Sequence, residues 1–327
     1  MAPEVVDTDV VVTGAGPAGL YAAYYAGFRD LRTTIVDSLP EPGGQVAALY
    51  PEKQIFDVAG FPGIKGQELV DNLVAQASQF DPTYRLGHRA EQLITRDGDG
   101  CEVVTHQDTT IRTKAVLITG GIGTFTPRKL PGADDYDGRG LQYFVRDLGA
   151  LADRDVLIVG GGDSAFDWAL ALEPIARSVT LIHRRDRFRA HERTVREVLA
   201  SSVEVRTHTE VAEIRGRDWV EEVEIVHNES GDRERLKTQA IIAALGFTAN
   251  IGPLADWGLE LEKRKIVVDR RMATNRERVF AAGDITTYPG KVDLISVGFG
   301  EAAIAVNNAA TIIDPDAKLF PGHSSDQ

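Results

Sequence analysis

The stretch Thr8-Asp9-Val10-Val11-Val12-Thr13-Gly14-Ala15-Gly16-Pro17-Ala18-Gly19 decides the fold. Its first half is β-branched and apolar, which reads as a buried parallel strand. Its second half holds three glycines in the frame Gly-x-Gly-x-x-Gly. Leu20-Tyr21-Ala22-Ala23-Tyr24-Tyr25-Ala26 follows as a helix rich in small residues, and Thr33-Thr34-Ile35-Val36 as a second strand closed by Asp37. In such a unit the glycines permit a tight turn and let the backbone approach a pyrophosphate, to which the helix N-terminus offers free N–H groups. Asp37 follows Gly16 by 21 residues, the spacing at which a carboxylate meets ribose hydroxyls. A dinucleotide site built on Gly14, Gly16, Gly19 and Asp37 is therefore expected.

The pattern returns in the middle of the chain. Asp155-Val156-Leu157-Ile158-Val159 reads as a strand and runs into Gly160-Gly161-Gly162-Asp163-Ser164-Ala165, with Ala165 in the third glycine slot, an accepted variant. A helix is expected from about Phe166 to Leu172, then a strand at Ser178-Val179-Thr180-Leu181-Ile182. His183 follows Gly162 by 21 residues, so the slot held by Asp37 in the first unit is here filled by His183-Arg184-Arg185, with Arg187 and Arg189 beyond. A carboxylate there would repel a 2′-phosphate, whereas an arginine pairs with it. The second unit thus reads as an NADP(H) site on Gly160, Gly162, Ser164 and Ala165, with the basic run His183, Arg184, Arg185, Arg187 and Arg189 as its phosphate-binding part.

Two further strands end in glycines, Ala115-Val116-Leu117-Ile118-Thr119-Gly120-Gly121 and Ala240-Ile241-Ile242-Ala243-Ala244-Leu245-Gly246, and each precedes a change of segment. The expected architecture is α/β, with two Rossmann-like three-layer dinucleotide-binding domains, the second inserted in the first. Residues 1–121 and 248–327 form the first domain and 122–247 the second. Glycines at both connections make the backbone permissive there, which suits a hinge. Short strands are expected near Glu102–Thr105 and between Trp219 and Val226, and Gly298-Phe299-Gly300-Glu301-Ala302 reads as a turn.

Composition narrows the function. The 327 residues are 43% hydrophobic and 26% charged, as in ordinary globular proteins. The net charge of −13 argues against nucleic-acid binding, which draws its affinity from Lys and Arg. The single cysteine, Cys101, excludes an internal disulfide or a Cys-x-x-Cys pair. The seven histidines show no metal-ligand spacing, so no metal is expected. No stretch reaches the ~18 apolar residues of a membrane helix, and the acidic start Met1-Ala2-Pro3-Glu4 lacks a signal-peptide core; a cytoplasmic location with no membrane partner is the expectation.

Both glycine motifs, Gly246 and Ala281-Ala282-Gly283-Asp284-Ile285 resemble the thioredoxin reductase fold, and His183–Ala190 resembles that family's 2′-phosphate motif, a resemblance that implies Arg184 and Arg189 within that run as the ligands. Where thioredoxin reductases carry Cys-x-x-Cys, this chain has Gly140-Leu141-Gln142-Tyr143-Phe144-Val145-Arg146-Asp147, with no cysteine. Two thiols are needed to pass electrons to a disulfide substrate through the protein. The chain is more similar to the thioredoxin-reductase-like ferredoxin–NADP⁺ reductases, through Gly43-Gly44-Gln45, Leu49-Tyr50-Pro51-Glu52-Lys53, Asp57–Pro62, Pro127–Leu130, Gly298–Ala302 and the tail Gly322-His323-Ser324-Ser325. The similarity runs from about residue 6 to the C-terminus. Asp37 departs from it, since members often carry glutamate there; either acid can hold a ribose.

The resemblance implies FAD in the first domain and NADPH/NADP⁺ in the second. It gives Tyr50 and the tail His323 the two faces of the flavin ring, although by its surroundings alone Tyr50 could equally be a core or turn residue. Gln45 and Ser324 or Ser325 would hydrogen-bond the flavin, Phe125 would lie near adenine or flavin, Asp284 would meet the ribityl or phosphate edge, and Ala90 belongs to the same set. In that family the tail comes from the other subunit, which implies a homodimer. The flavin carries the chemistry while the protein orients it, so no acid–base triad is expected. The implied acceptor is ferredoxin or flavodoxin; an NADPH-dependent quinone reductase or oxidase, and a non-catalytic redox-sensing module, are the alternatives. Ferredoxins are acidic and so is this chain, so docking needs a local basic patch. The candidates are Lys263-Arg264-Lys265, Arg270-Arg271, Arg276 with Arg278, and Lys53.

Overall fold

The computed structural model describes residues 4–96, 100–121, 124–145 and 147–322. The chain divides into two units, Met1–Thr124 with Ala249–Gln327, and Phe125–Thr248. The breaks expected at 121/122 and 247/248 fall three residues and one residue before these. The connecting strands Thr124–Pro127 and Phe247–Asn250 pair with each other. Gly121 and Gly246 beside them take φ of +60° and +77°, which favours glycine.

The first unit is built on five parallel strands in the order Val279–Ala281, Ala115–Ile118, Val10–Thr13, Thr33–Asp37, Thr83–Leu86. Val10, Val11 and Val12 are all buried, because a strand covered on both faces needs no polar alternation. Helices Pro17–Phe28 and Ile295–Ile313 pack against each other beside this sheet, and Ile295–Ile313 also meets its strands. A second sheet, Val5–Asp7, Thr110–Thr113, Gly100–Thr105 and Ala90–Arg96, supplies the third layer through Val103 and Ile111. Gly298–Ala302 is no turn: it lies inside the helix Ile295–Ile313. Gly298 serves close packing, since a Cβ there would stand 3.3 Å from the Gly283 Cα, whereas nothing lies within 4 Å of the position a Gly300 Cβ would take.

The second unit repeats the plan with parallel strands Leu141–Gln142, Ala240–Ala243, Asp155–Val159, Ser178–Ile182 and Glu204–Arg206. Alternation splits its core. Val156, Ile158 and Ile242 face the helices Asp163–Leu172 and Glu192–Leu199, while Leu157, Val159 and Ile241 face the antiparallel sheet Thr209–Arg215, Glu222–His227, Arg233–Lys237. The fold is α/β, two three-layer units of like design. Among the described residues no helix is long and apolar enough to cross a membrane, and no cluster of three or more His, Cys, Asp or Glu could hold a metal.

Asp9 ties the start of the first sheet together, through the Arg32 guanidinium at 3.0 Å and the Lys114 ammonium at 3.0 Å. Burial pushes its carboxyl up, but these hydrogen bonds outweigh burial and hold it at about 2. The folded value lies below the ordinary value of about 3.9. The stabilisation is thus complete above about pH 4 and lost as pH falls towards 2. Asp9→Asn is expected to cost on the order of 1–2 kcal/mol at neutral pH after solvent screening, and almost nothing near pH 2. Urea denaturation at several pH values checks this; a constant cost across the range would contradict it.

Candidate functional site

The first glycine turn divides its work among its three glycines. Gly14 has φ +117°, and a Cβ there would stand 2.6 Å from the Thr119 carbonyl oxygen. A Cβ on Gly19 would overlap the Gly14 carbonyl, so this glycine lets helix and strand close together. Gly16 differs: nothing lies within 4 Å of the position its Cβ would take. It caps the helix Pro17–Phe28 with no side-chain hydrogen bond. Tight turn, open approach and close helix packing are the three roles a pyrophosphate-binding turn requires.

Around this turn the structure gathers several of the expected residues. Asp37 accepts the N–H of Ala15 at 2.6 Å and of Leu39 at 2.8 Å. Burial raises its pKa and these two bonds oppose the rise; the carboxylate keeps acceptor capacity for a ribose hydroxyl. Gly43 donates to the Ala15 carbonyl at 2.8 Å, and a Cβ on Gly44 would stand 2.9 Å from the Gly16 Cα. The double glycine therefore packs the helix Gly44–Leu49 onto the turn. Gln45 reaches Gly121, whose Cβ would stand 2.7 Å from its Nε2. Tyr50 ends that helix; burial first, and the charge of Asp284 second, push its hydroxyl pKa up. Lys53 Nζ stands 5.8 Å from the Tyr50 ring centroid. Asp284 is raised by burial first. Ala90 opens the strand Ala90–Arg96, half-buried against the core. The Phe125 side chain and all of His323, Ser324 and Ser325 lie outside the described residues.

The second turn mirrors the first. A Cβ on Gly160 would overlap the Ala244 carbonyl, Gly162 has nothing within 4 Å, and Ala165 fills the third slot fully buried. The helix begins at Asp163, three residues earlier than expected, so Asp163 and Ser164 belong to its first turn. The His183 imidazole lies against Gly161. Burial, then the charges of Arg184, Arg185 and Arg189, hold its pKa down against an opposing backbone hydrogen bond at Arg187.

The chain after His183 folds back on this turn. The Arg189 N–H donates to the Gly161 carbonyl at 2.7 Å and the His191 N–H to Asp163 Oδ1 at 2.8 Å. The Arg184 carbonyl accepts the Asn228 side chain at 3.3 Å. Arg184, Arg185 and Arg189 are exposed, and among the described residues their guanidinium groups have no carboxylate partner. Arg177 and Arg206 in the same unit are paired. A loop with three uncompensated cations beside an open glycine turn is suited to a phosphorylated ligand. Asp163 and Asn228 were missed from sequence; an acid beside an anion-binding turn looks unfavourable until its bond to His191 is seen.

Comparison with known proteins settles the kinship. Residues 8–309 match the family described as pyridine nucleotide-disulphide oxidoreductase. The ferredoxin–NADP reductase of Frankia casuarinae is 61% identical over 317 residues, covering 97% of this chain and 98% of that protein. The chain belongs to the pyridine nucleotide-disulphide oxidoreductase family, on its ferredoxin–NADP reductase branch. The ferredoxin–NADP reductase of a Nocardioides species is 62% identical over 325 residues, with 98% of each chain covered. Among solved structures, thioredoxin reductase from T. acidophilum superposes with a TM-score of 0.80 at 27% identity, covering 93% of this chain and 98% of that one. The fold is thus thioredoxin-reductase-like, without that enzyme's dithiol: the one cysteine, Cys101, is buried, and burial pushes its thiol pKa up. The family's cofactors are FAD and NADP, and the two open glycine turns fit dinucleotides of this kind.

Proposed function

We propose that the chain is an FAD-dependent ferredoxin or flavodoxin–NADP⁺ oxidoreductase, with FAD on the first unit and NADP(H) on the second. The observation that carries the assignment of the two turns is their contrast: the first closes on the carboxylate of Asp37, while the second is followed by arginines that have no carboxylate partner among the described residues. Bound FAD would supply the redox chemistry, hydride uptake paired with one-electron release. The protein's part is to hold and orient. The amides after Gly16 receive the pyrophosphate, Asp37 accepts from the ribose, Tyr50 and Asp284 lie towards the flavin end, and Gln45 adds an amide. On the second unit Gly162 opens the approach, Ser164 lies in the helix's first turn, and Arg184, Arg185 and Arg189 take the 2′-phosphate. A cytoplasmic homodimer, in which His323, Ser324 and Ser325 cover the partner's flavin, belongs to the same reading.

Rapid-mixing kinetics test it. NADPH-driven reduction of ferredoxin or flavodoxin should far outpace reduction of small quinones. Faster turnover with quinones would favour the quinone-reductase reading, and slow turnover with every acceptor a redox sensor. Truncation before His323 should change the reaction of the reduced protein with oxygen while leaving FAD bound; an unchanged rate would remove the tail from the site.

The docking face is narrower than the sequence suggests. Lys265 is paired with Asp293 at 2.6 Å, Arg271 with Asp269 at 3.1 Å, and Arg276 bonds Thr95 at 2.8 Å. Arg278 is mostly buried. Lys263, 90% exposed with its nearest carboxylate at 3.9 Å, and the exposed Arg270 are the cations best placed to dock an acidic carrier. Reversing Lys263 and Arg270 to glutamate is expected to raise the ferredoxin KM about tenfold and flatten its salt dependence. NADPH reduction of a small acceptor should stay unchanged; an unaltered ferredoxin KM would exclude these two residues.

A further inference from the structure

Glu301 is the one charged residue of the helix Ile295–Ile313. Glu301 is 3% exposed and its partner Lys291 5% exposed. Every lone-pair direction of the carboxylate is spoken for by a nearby group. Oε2 accepts the Gly283 N–H at 2.7 Å, and Lys291 Nζ donates to Oε1 at 2.6 Å and Oε2 at 2.8 Å. The Tyr288 hydroxyl donates to Oε1 at 2.6 Å. Burial first, then this bond, push the Tyr288 pKa up to about 12, so the hydroxyl stays a donor. All three donors come from one loop, residues 283–291, and the acceptor comes from the helix that follows it.

That loop touches the first glycine turn. A Cβ on Gly283 would stand 3.3 Å from the Ala18 Cβ in the first turn of the nucleotide helix, and Gly298 is 3.5 Å from the same atom by the same measure. Asp284, next in sequence, is electrostatically coupled to Tyr50. We infer that Glu301, held by Lys291, is a positioning residue for flavin binding: its bond to the Gly283 N–H fixes the Gly283–Asp284 turn against the nucleotide helix. This rests on the placement of FAD on the first unit. A buried carboxylate with one bond to a backbone amide is a directional tether, and the lysine makes its charge tolerable in the interior.

The test uses full-length holoprotein and reads the rate at which FAD leaves on dilution, followed by the fluorescence of released FAD. Removing one charge alone strands the other in the interior, so the informative variants are double. Glu301→Gln with Lys291→Met removes both charges and keeps an acceptor for Gly283; it should release FAD within about threefold of the parent. Glu301→Leu with Lys291→Met removes the acceptor as well, and should release FAD at least tenfold faster at a similar melting temperature. Glu301→Asp keeps the charge for Lys291 but draws the carboxylate back from Gly283 by one methylene. It should also release FAD faster, and it decides the matter if the leucine variant does not fold. Parent-like release from both the leucine and aspartate variants, or equal acceleration in the glutamine and leucine pairs, overturns the inference. A parent protein that carries no FAD would instead overturn the placement on which it rests.

Discussion

Alanine at Arg184 or at Arg189 is expected to weaken NADPH about 10- to 150-fold while changing NADH little. The range follows from a charge-assisted hydrogen bond worth roughly 1.5–3 kcal/mol. The structure makes these substitutions clean. The loop is anchored by backbone groups, the Arg189 N–H on Gly161 and the Arg184 carbonyl under Asn228, and truncating the side chains leaves those bonds in place. Neither guanidinium has a carboxylate partner among the described residues, so no buried charge is stranded by its loss. The measurement is kcat/KM for each nucleotide with a small artificial acceptor. An equal loss for NADPH and NADH would show that the arginines hold the loop's shape and not the phosphate.

The second large effect separates the two turns by a single methyl group. Alanine at Gly16 meets no neighbour within 4 Å and has an ordinary φ of −73°, so the fold should tolerate it. The methyl then occupies the space the pyrophosphate needs, and FAD affinity should fall at least tenfold, about 1.4 kcal/mol. Alanine at Gly162 should do the same to NADPH and leave the FAD content at the parent level. Gly19→Ala is the control: its Cβ would overlap the Gly14 carbonyl. It should destabilise the first unit by about 3 kcal/mol or more, because the obstruction is backbone. Flavin content, nucleotide titration and thermal melting together read these outcomes. Loss of FAD in the Gly162 variant, or of NADPH in the Gly16 variant with its FAD retained, would break the assignment of one nucleotide to each unit.

The repeated unit was legible because its parts are local. Strand, glycine turn, helix and the residue 21 positions on are all set by a short run of chain, and Val10–Thr13 and Asp155–Val159 stand as strands where their β-branched content puts them. The helix start at Asp163 was less legible, since an acid after three glycines reads as part of the turn until its bond to His191 is visible. The Glu301 cluster was illegible for a different reason. Gly298 was expected in a turn, and only the approach of Gly283, fifteen residues away, explains that glycine inside a helix. Likewise Lys265 reads as a free surface charge, because its partner Asp293, 28 residues away, is found only by folding the chain. Charge pairing across loops has no periodic signature, whereas a buried parallel strand does.

The most direct test of the account is the visible absorption spectrum of the purified protein, taken anaerobically before NADPH, after NADPH, and after oxidised ferredoxin. Flavin absorption bands are expected in the first spectrum, with bleaching by NADPH at concentrations where NADH acts far more slowly, and their return when ferredoxin is added. A colourless protein would contradict the flavin site. Bands that NADPH leaves untouched, or that ferredoxin fails to restore, would contradict the proposed transfer from NADPH to an iron–sulfur carrier.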